Sequence, residues 1–253
     1  MSLDPASMLQ VDDLSKTYGE TRALEGASVI FAPATIHAIL GENGSGKSTL
    51  VKLLSGVVPP TRGTIRVDGA AVARFSPSAF QALGLATVFQ EVLIAPDRSA
   101  LDNVFLGCDG LLRRAVPRAR RPALAAETLG RIATTAFDLE APAGRLPLAA
   151  QQLVVLARAL IRRPRILILD EVTAALDYAD REQVFQTMEA FARAGGLILF
   201  ISHRMDEVQR LADRVTILRN GRVVDTLDRS SATPAQMLSL MAPAAAEEFA
   251  HGR

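Results

Sequence analysis

The residues best suited to chemistry form one glycine-rich segment, Gly41-Glu-Asn-Gly-Ser-Gly-Lys-Ser48. Glycines at its start and end let the backbone curl so that several N–H groups point inward at phosphate oxygens. In such a loop the Lys47 side chain reaches the β- and γ-phosphates, and the Ser48 hydroxyl binds Mg²⁺. The segment therefore predicts binding of ATP with Mg²⁺. The other residues expected to line the phosphate site are Gly41, Glu42, Asn43, Gly44, Ser45, Gly46 and Thr49.

The surroundings of this segment favour a phosphate loop over a glycine-rich turn with an incidental lysine. Ile36–Leu40 is a buried type of strand that runs into the glycines, and the spacing of 48–56 predicts a helix that ends at a glycine. Strand, loop and helix thus follow in the required order, because the helix N-terminus adds its dipole to the phosphate site. Lysine is also rare, at positions 16, 47 and 52 only.

Two acidic residues follow a buried strand later in the chain. Ile166–Leu169 is an apolar run, and Asp170 and Glu171 come directly after it. Ligands bind at the carboxyl ends of strands in open α/β sheets. Asp170 is therefore placed to bind Mg²⁺, and Glu171 to orient or deprotonate a water molecule. Taken alone, the pair would suit an ordinary strand-end turn, but the phosphate loop upstream favours the catalytic interpretation.

Three isolated side chains are candidates for the same edge of the sheet. Gln90 follows a strand-like segment and could reach the metal or the water, although a solvated polar residue is the alternative. His203 follows an apolar strand and could contact a γ-phosphate, although a lone histidine is more often structural, and Ser202 is a plausible cap for the next helix. Tyr18 ends the first strand and could stack on adenine, or simply pack.

The composition limits the functions that remain open. The chain has 253 residues, is 49% hydrophobic and carries a net charge of +1, which fits one large domain or a domain with an insert. The balanced charge excludes a general nucleic-acid binder. Its single cysteine, Cys108, allows no internal disulfide framework, and a cytoplasmic setting is the default. The apolar runs are far shorter than the roughly 20 residues of a membrane-spanning helix.

The order of elements is that of an α/β domain with a helical insert. Short strands dominate the first third, and the Ala-, Arg- and Leu-rich sequence of 91–150, punctuated by proline, predicts several helices. From 151 onward helices and strands alternate as in a parallel sheet, and a hairpin follows around Asn220-Gly221. The predicted elements are strands 9–18, 27–31, 36–40, 64–67, 166–169, 197–201, 215–218 and 222–226, and helices 48–56, 151–162, 181–194 and 204–211.

Together these motifs resemble the nucleotide-binding domain of ATP-binding-cassette (ABC) transporters, from Leu9 to about Met241. The chain is most similar to the N-terminal half of the tandem ATPases of ribose-type sugar importers. The segments that carry this likeness are Gly41–Gly44, Val88–Glu91, Asn103–Gly107, Ala150–Gln152 and Ile201–Met205.

The resemblance implies a fold and a division of the chain. It implies a P-loop NTPase core with a mainly parallel sheet, an antiparallel β subdomain and an inserted α-helical subdomain. The core would comprise 9–90 and 151–230, the helical signature subdomain 91–150, and a C-terminal helix and tail 231–253.

The resemblance also assigns roles to individual residues. It makes Lys47, Gln90, Glu171 and His203 the catalytic set, and Ser48, Gln90 and Asp170 the Mg²⁺ ligands. Tyr18 becomes the adenine-stacking residue and Asp177 the aspartate of the loop after the Asp170-Glu171 pair.

Two positions depart from the family pattern. The family's signature, Leu-Ser-Gly-Gly-Gln or a near variant, grips the γ-phosphate bound to the opposite domain, and here the matching stretch is Leu146-Pro-Leu-Ala-Ala-Gln151. Pro147 stands at the serine position and lacks an N–H, and Ala149 adds a Cβ where close approach is needed. This half-site is therefore expected to be poor. Val172 replaces a usual proline without removing a chemical group.

The intact loop and the altered signature imply a non-identical second ATPase domain as partner. The resemblance further implies integral membrane transporter subunits, an indirect link to a periplasmic or extracellular binding protein, and a place on the inner face of the cell membrane. A sugar or similar small solute would be the transported substrate. Two alternatives remain open, namely a soluble ABC ATPase without a transport role and a regulatory half with weak hydrolysis.

A group of five arginines in the insert has two interpretations. A solvated helical face is the usual one, and contact with a membrane or transporter subunit is the other. The residues are Arg113, Arg114, Arg118, Arg120 and Arg121.

Overall fold

The computed structural model describes residues 7–109 and 116–242. The strands, in chain order, are β1 (Leu9–Tyr18), β2 (Thr21–Phe31), β3 (Thr35–Leu40), β4 (Arg62–Val67), β5 (Ala70–Ala71), β6 (Leu85–Val88), β7 (Ile166–Asp170), β8 (Leu197–Ile201), β9 (Arg214–Arg219) and β10 (Arg222–Asp228). The helices are α1 (Lys47–Leu54), α2 (Pro77–Ala82), α3 (Ala100–Val104), α4 (Arg121–Leu129), α5 (Leu148–Ile161), α6 (Tyr178–Arg193), α7 (Met205–Leu211) and α8 (Pro234–Met241). Two 3₁₀ turns, Arg118–Arg120 and Ala143–Arg145, precede α4 and α5.

The larger sheet has six strands in the order β10-β9-β3-β8-β7-β6. The neighbours from β9 to β6 are parallel, and β10 is antiparallel to β9. In the register of the sheet, Ile201 of β8 lies opposite both Ile39 of β3 and Asp170 of β7. The carboxyl ends of these three strands therefore meet at one edge, where the loops that follow them can converge.

Alternating side chains divide the core into two layers on the two faces of this sheet. Ile168 and Leu199 point toward α1 and a four-stranded antiparallel sheet of order β2-β1-β4-β5. Leu169 and Phe200 point to the opposite face, where α3, α4, α5 and α6 pack. Both faces of β7 and β8 are thus buried, as expected for parallel strands covered on both sides.

The segment between β6 and β7 contains several helices, namely α3, α4 and α5 with the two 3₁₀ turns. Within its described part, α3 has five residues, α4 has nine and α5 has 14, and turns and irregular backbone connect them. Among the arginines of this segment, Arg121 donates to both carboxylate oxygens of Asp109 at 2.6 Å. It is therefore not part of a free basic face. Arg113 and Arg114 lie outside the described residues.

Several boundaries differ from the prediction by a few residues, and for α6 the structure shows the reason. Helix α6 begins at Tyr178 rather than at 181, because the Asp177 side chain accepts a hydrogen bond from the Asp180 N–H and caps the helix. Helix α5 begins at Leu148 rather than at 151. Helix α2 was not predicted, although Ser76 caps it and Pro77 occupies its first turn.

The C-terminal part of the described chain contains α8, and residues 243–253 of the predicted tail lie outside the described residues. None of the helices within 7–109 and 116–242 has the length and apolar character that a membrane crossing requires.

Candidate active site

The glycine-rich loop between β3 and α1 is closed so tightly that two of its glycines have no room for a side chain. A Cβ at Gly41 would lie 2.3 Å from the Leu218 carbonyl oxygen, and one at Gly46 would lie 2.8 Å from the Ala23 carbonyl oxygen. Gly46 also has φ 105°, a left-handed conformation that favours glycine. The loop is therefore held between β9 and β2, with α1 starting immediately after Gly46.

Lys47 folds back over this loop. Its ammonium group donates hydrogen bonds to the carbonyl oxygens of Gly41 at 2.6 Å and Glu42 at 2.9 Å. Burial lowers the pKa of Lys47, and the nearby carboxylates of Glu171 and Asp170 oppose that shift. The side chain is only 7% exposed, so its charge is held at the mouth of the loop by backbone dipoles and acidic neighbours.

The predicted acidic pair lies at the carboxyl end of β7. Asp170 is 6% exposed, and burial, with a smaller contribution from the charge of Glu171, raises its pKa to about 6. Lys47 and His203 act in the opposite direction on this pKa. The Glu171 backbone has φ 53° and donates its N–H to the Ile201 carbonyl oxygen at 3.0 Å. This left-handed conformation costs a non-glycine residue of order 1 kcal/mol.

Two of the isolated candidates contact Glu171 directly. The Gln90 amide donates to Glu171 Oε2 at 3.0 Å, and His203 Nε2 contacts Glu171 Oε1. The three side chains come from the loops after β6, β7 and β8, which are neighbours in the sheet. The structure therefore places Glu171 between a polar amide and an imidazole, with Lys47 and Asp170 close enough to influence one another's charge.

The residues present fit a nucleotide phosphate and Mg²⁺. Ser45 Oγ is buried in the loop without a hydrogen-bond partner among the described residues, so a polar atom there is left for a ligand. The Ser48 hydroxyl, the Asp170 carboxylate and the Gln90 amide oxygen are the hard oxygen ligands that Mg²⁺ prefers. A divalent cation would also offset the unfavourable charge of buried Asp170.

Tyr18 lies at the end of β1, and its ring is 43% exposed with the Lys16 ammonium 5.1 Å from the ring centre. Its role in adenine stacking stays a prediction. Asp177 serves as the N-cap of α6, a structural use that leaves its family role untested.

The altered signature lies at the start of α5. Pro147 is the N-cap residue, and its side chain accepts no hydrogen bond from the helix. The next residue, Leu148, is 58% exposed. This helix end therefore presents apolar groups where the family pattern has a serine hydroxyl and glycine.

Comparison with protein families supports the likeness found in the sequence. The protein-family model described as "ABC transporter" matches residues 24–174. This span includes the phosphate loop, Gln90, the altered signature and the acidic pair. The chain belongs to the ABC transporter family. The expected family and fold class are thus confirmed.

The ABC relatives with curated names include ribose import ATP-binding proteins. One from Rhizobium johnstonii is 40% identical over 237 residues, which is 94% of this chain and 46% of the relative. Another from Rubrobacter xylanophilus is 36% identical over 244 residues, or 93% of this chain and 46% of the relative. The chain spans about half the length of the curated relatives it matches.

Solved ABC cassettes have the same fold. A bacterial ABC transporter cassette in dimeric form aligns with TM-score 0.79 at 26% identity over 88% of this chain and 99% of the other. A dimeric post-hydrolysis cassette bound to ADP and Pi gives TM-score 0.80 at 25% identity, over 88% and 99% of the two chains.

The sequence missed one buried acidic residue near the site, and one expectation beside it was wrong. Ser202 does not cap α7, because the N-cap position is Arg204. The Ser202 hydroxyl accepts a hydrogen bond from the Arg204 N–H at 3.1 Å and donates to Glu207 Oε2 at 2.7 Å. The available signal was the position of Glu207 in a short helix whose neighbours Val208 and Leu211 are apolar and buried.

Proposed function

We propose that this chain binds Mg-ATP and hydrolyses it as a motor subunit of an ABC importer for a sugar or similar small solute. The observation that carries the proposal is the contact of Glu171 with both Gln90 and His203, beside the loop that holds Lys47. A carboxylate set between two polar groups at the edge of a phosphate loop is suited to orient an attacking water.

Each residue has a distinct part in this proposal. Lys47 and the N–H groups of the loop hold the β- and γ-phosphates. Ser48, Asp170 and Gln90 would hold Mg²⁺, which neutralises phosphate charge when bound. Glu171 orients the water and accepts its proton, and His203 keeps Glu171 in place and contacts the γ-phosphate.

The substrate class is supported by the relatives. They are named ribose import ATP-binding proteins and are about twice as long as this chain, so a sugar importer with two ATPase halves is the matching arrangement. The remaining partners in this proposal are integral membrane subunits and, indirectly, a periplasmic or extracellular binding protein. The chain would act on the cytoplasmic face of the membrane.

The altered signature favours a non-identical ATPase partner. In a homodimer both phosphate loops would face Pro147 and Leu148, and neither site would have a proper donor to the γ-phosphate. Loss of one such donor typically lowers a rate about 10²–10³-fold. A second candidate function follows from the same observation, namely a regulatory half that binds nucleotide and hydrolyses it weakly.

The test compares the chain alone with the chain plus a cassette that has an intact signature. We expect the isolated chain to bind Mg-ATP with slow phosphate release, and the partner to raise turnover by at least about 10²-fold. Turnover that stays low with the partner would favour the regulatory half.

A restoration variant provides the control for the role of the signature. Changing Pro147→Ser, Leu148→Gly, Ala149→Gly and Ala150→Gln restores the family pattern from Leu146 onward, and it should accelerate the homodimer but barely affect the heterodimer. Fast hydrolysis by the unmodified chain alone, unchanged by the restoration, would indicate a symmetric motor instead.

A further inference from the structure

A buried carboxylate lies behind the proposed catalytic residues. Glu207, on α7, is 1% exposed. Its Oε2 atom accepts two hydrogen bonds, from the Thr173 hydroxyl at 2.9 Å and from the Ser202 hydroxyl at 2.7 Å. One oxygen atom thus joins two segments that are distant from each other in the chain.

The two segments are those that carry Glu171 and His203. Thr173 lies within the turn closed by the hydrogen bond from the Ala174 N–H to the Glu171 carbonyl oxygen at 3.2 Å. Ser202 directly precedes His203. The contact between His203 and Glu171 therefore depends on the relative position of two loops that both bond to Glu207.

Two positively charged side chains lie close to the Glu207 carboxylate. Its Oε1 atom has no hydrogen-bond partner among the described residues, but Arg204 Nε lies 3.5 Å away and Arg181 Nη1 lies 3.9 Å away. These guanidinium groups offset the cost of a buried negative charge. A carboxylate only accepts hydrogen bonds, so both hydroxyl groups must donate toward it.

We propose that Glu207 is a positioning residue that holds His203 against Glu171. The inference rests on the proposed ATP hydrolysis. Glu207 does not touch the reacting atoms and acts through the two hydroxyls. Loss of comparable supporting hydrogen bonds around catalytic centres typically lowers activity about 10–100-fold, because small displacements of reacting groups are costly.

The kinetic test uses the full chain with its partner cassette. Glu207→Ala should lower kcat about 10–100-fold and leave KM for Mg-ATP nearly unchanged. Glu207→Gln should recover most of the loss, since its amide oxygen can accept both hydroxyls. Thr216→Val is the control, because it removes a different buried hydrogen-bonding group, a hydroxyl in contact with His37 and Thr226, on β9 away from these loops.

A double-mutant cycle separates positioning from a general loss of structure. In a His203→Ala background, Glu207→Ala should lower kcat less than about threefold, because the group that it positions is already absent. If the double variant instead loses kcat by the product of the two single-variant factors, the proposal is wrong.

An independent readout does not require hydrolysis. The chain has three histidines, so their imidazole NMR signals can be resolved, and His203→Ala identifies the relevant one. Glu207→Ala should move the His203 signal and leave that of buried His37 in place. If Glu207→Ala does not fold, Ser202→Ala supplies the same comparison. An unmoved His203 signal overturns the positioning role, whereas absent hydrolysis in the unmodified complex overturns the proposed function.

Discussion

Asp170 provides a test of the site that needs no nucleotide. Its carboxylate is buried next to Glu171, and its pKa is raised to about 6. The folded chain therefore binds this proton more tightly than the unfolded chain, in which the carboxyl group ionises near the ordinary value of 3.8. Asp170→Asn replaces the carboxylate with a neutral group of the same shape and should stabilise the nucleotide-free protein at neutral pH.

The size of this effect follows from the shift. One pKa unit corresponds to about 1.4 kcal/mol, so the shift is equivalent to roughly 3 kcal/mol, and solvent at the open side of the site reduces this to roughly 2 kcal/mol. The loss of unfolding free energy caused by ionised Asp170 is absent below pH 3.8, grows as the pH rises through that value, and is complete above about pH 6. About half of it, roughly 1 kcal/mol, should develop between pH 5 and pH 8.

Thermal unfolding in EDTA at pH 5 and pH 8 measures this difference. For a chain of this size 1 kcal/mol corresponds to about 2–4 °C, so the Tm advantage of Asp170→Asn should increase by about that amount from pH 5 to pH 8. Asp97→Asn, at an exposed position outside the site, is the matched control and should show no such increase. An advantage that is constant with pH, or that decreases as pH rises, would refute the assigned environment of Asp170.

Two further predictions concern binding, turnover and coupling. Lys47→Ala should abolish nucleotide binding, whereas Glu171→Gln should retain binding and stop turnover, because in the proposed mechanism Lys47 contacts ground-state phosphates and Glu171 acts on the water. Nucleotide titration beside phosphate release measures both, and equal affinity losses would contradict these roles. Gln90→Ala should uncouple transport from ATP more than it weakens binding. Normal substrate-stimulated ATPase activity of this variant in the assembled transporter would exclude that role.

The parts of the fold that were predictable are those with strong local patterns. The apolar runs of β7 and β8 are buried on both faces, so they appear in the sequence as continuous hydrophobic segments. The Asn220-Gly221 pair marks the β9–β10 hairpin, and Asn220 indeed has φ 51°. The convergence of Gln90, Glu171 and His203 was predictable because all three follow strands whose carboxyl ends share one edge.

The remaining features depend on contacts between distant residues. Nothing local to Glu207 shows that its partners are Thr173 and Ser202, since only the packing of α7 against two loops brings them together. Serine is a common N-cap residue, yet the N-cap position of α7 is Arg204, and the Ser202 hydroxyl donates to the buried Glu207 carboxylate.

The start of α5 carries the altered signature, whereas a residue near its end contacts the segment that follows Gln90. At its start, Pro147 and exposed Leu148 stand where the family pattern has a serine hydroxyl and glycine. Ten residues further on, roughly 15 Å along the helix, Arg158 donates to the carbonyl oxygens of Leu93 and Asn103, each at 2.7 Å. Leu93 follows Gln90 by three residues, so a movement of Gln90 on nucleotide binding has a short path to α5 that does not involve the signature. Under the proposed function, we therefore expect the helical region to respond to ATP in this chain's own loop, as an asymmetric pair of cassettes would require.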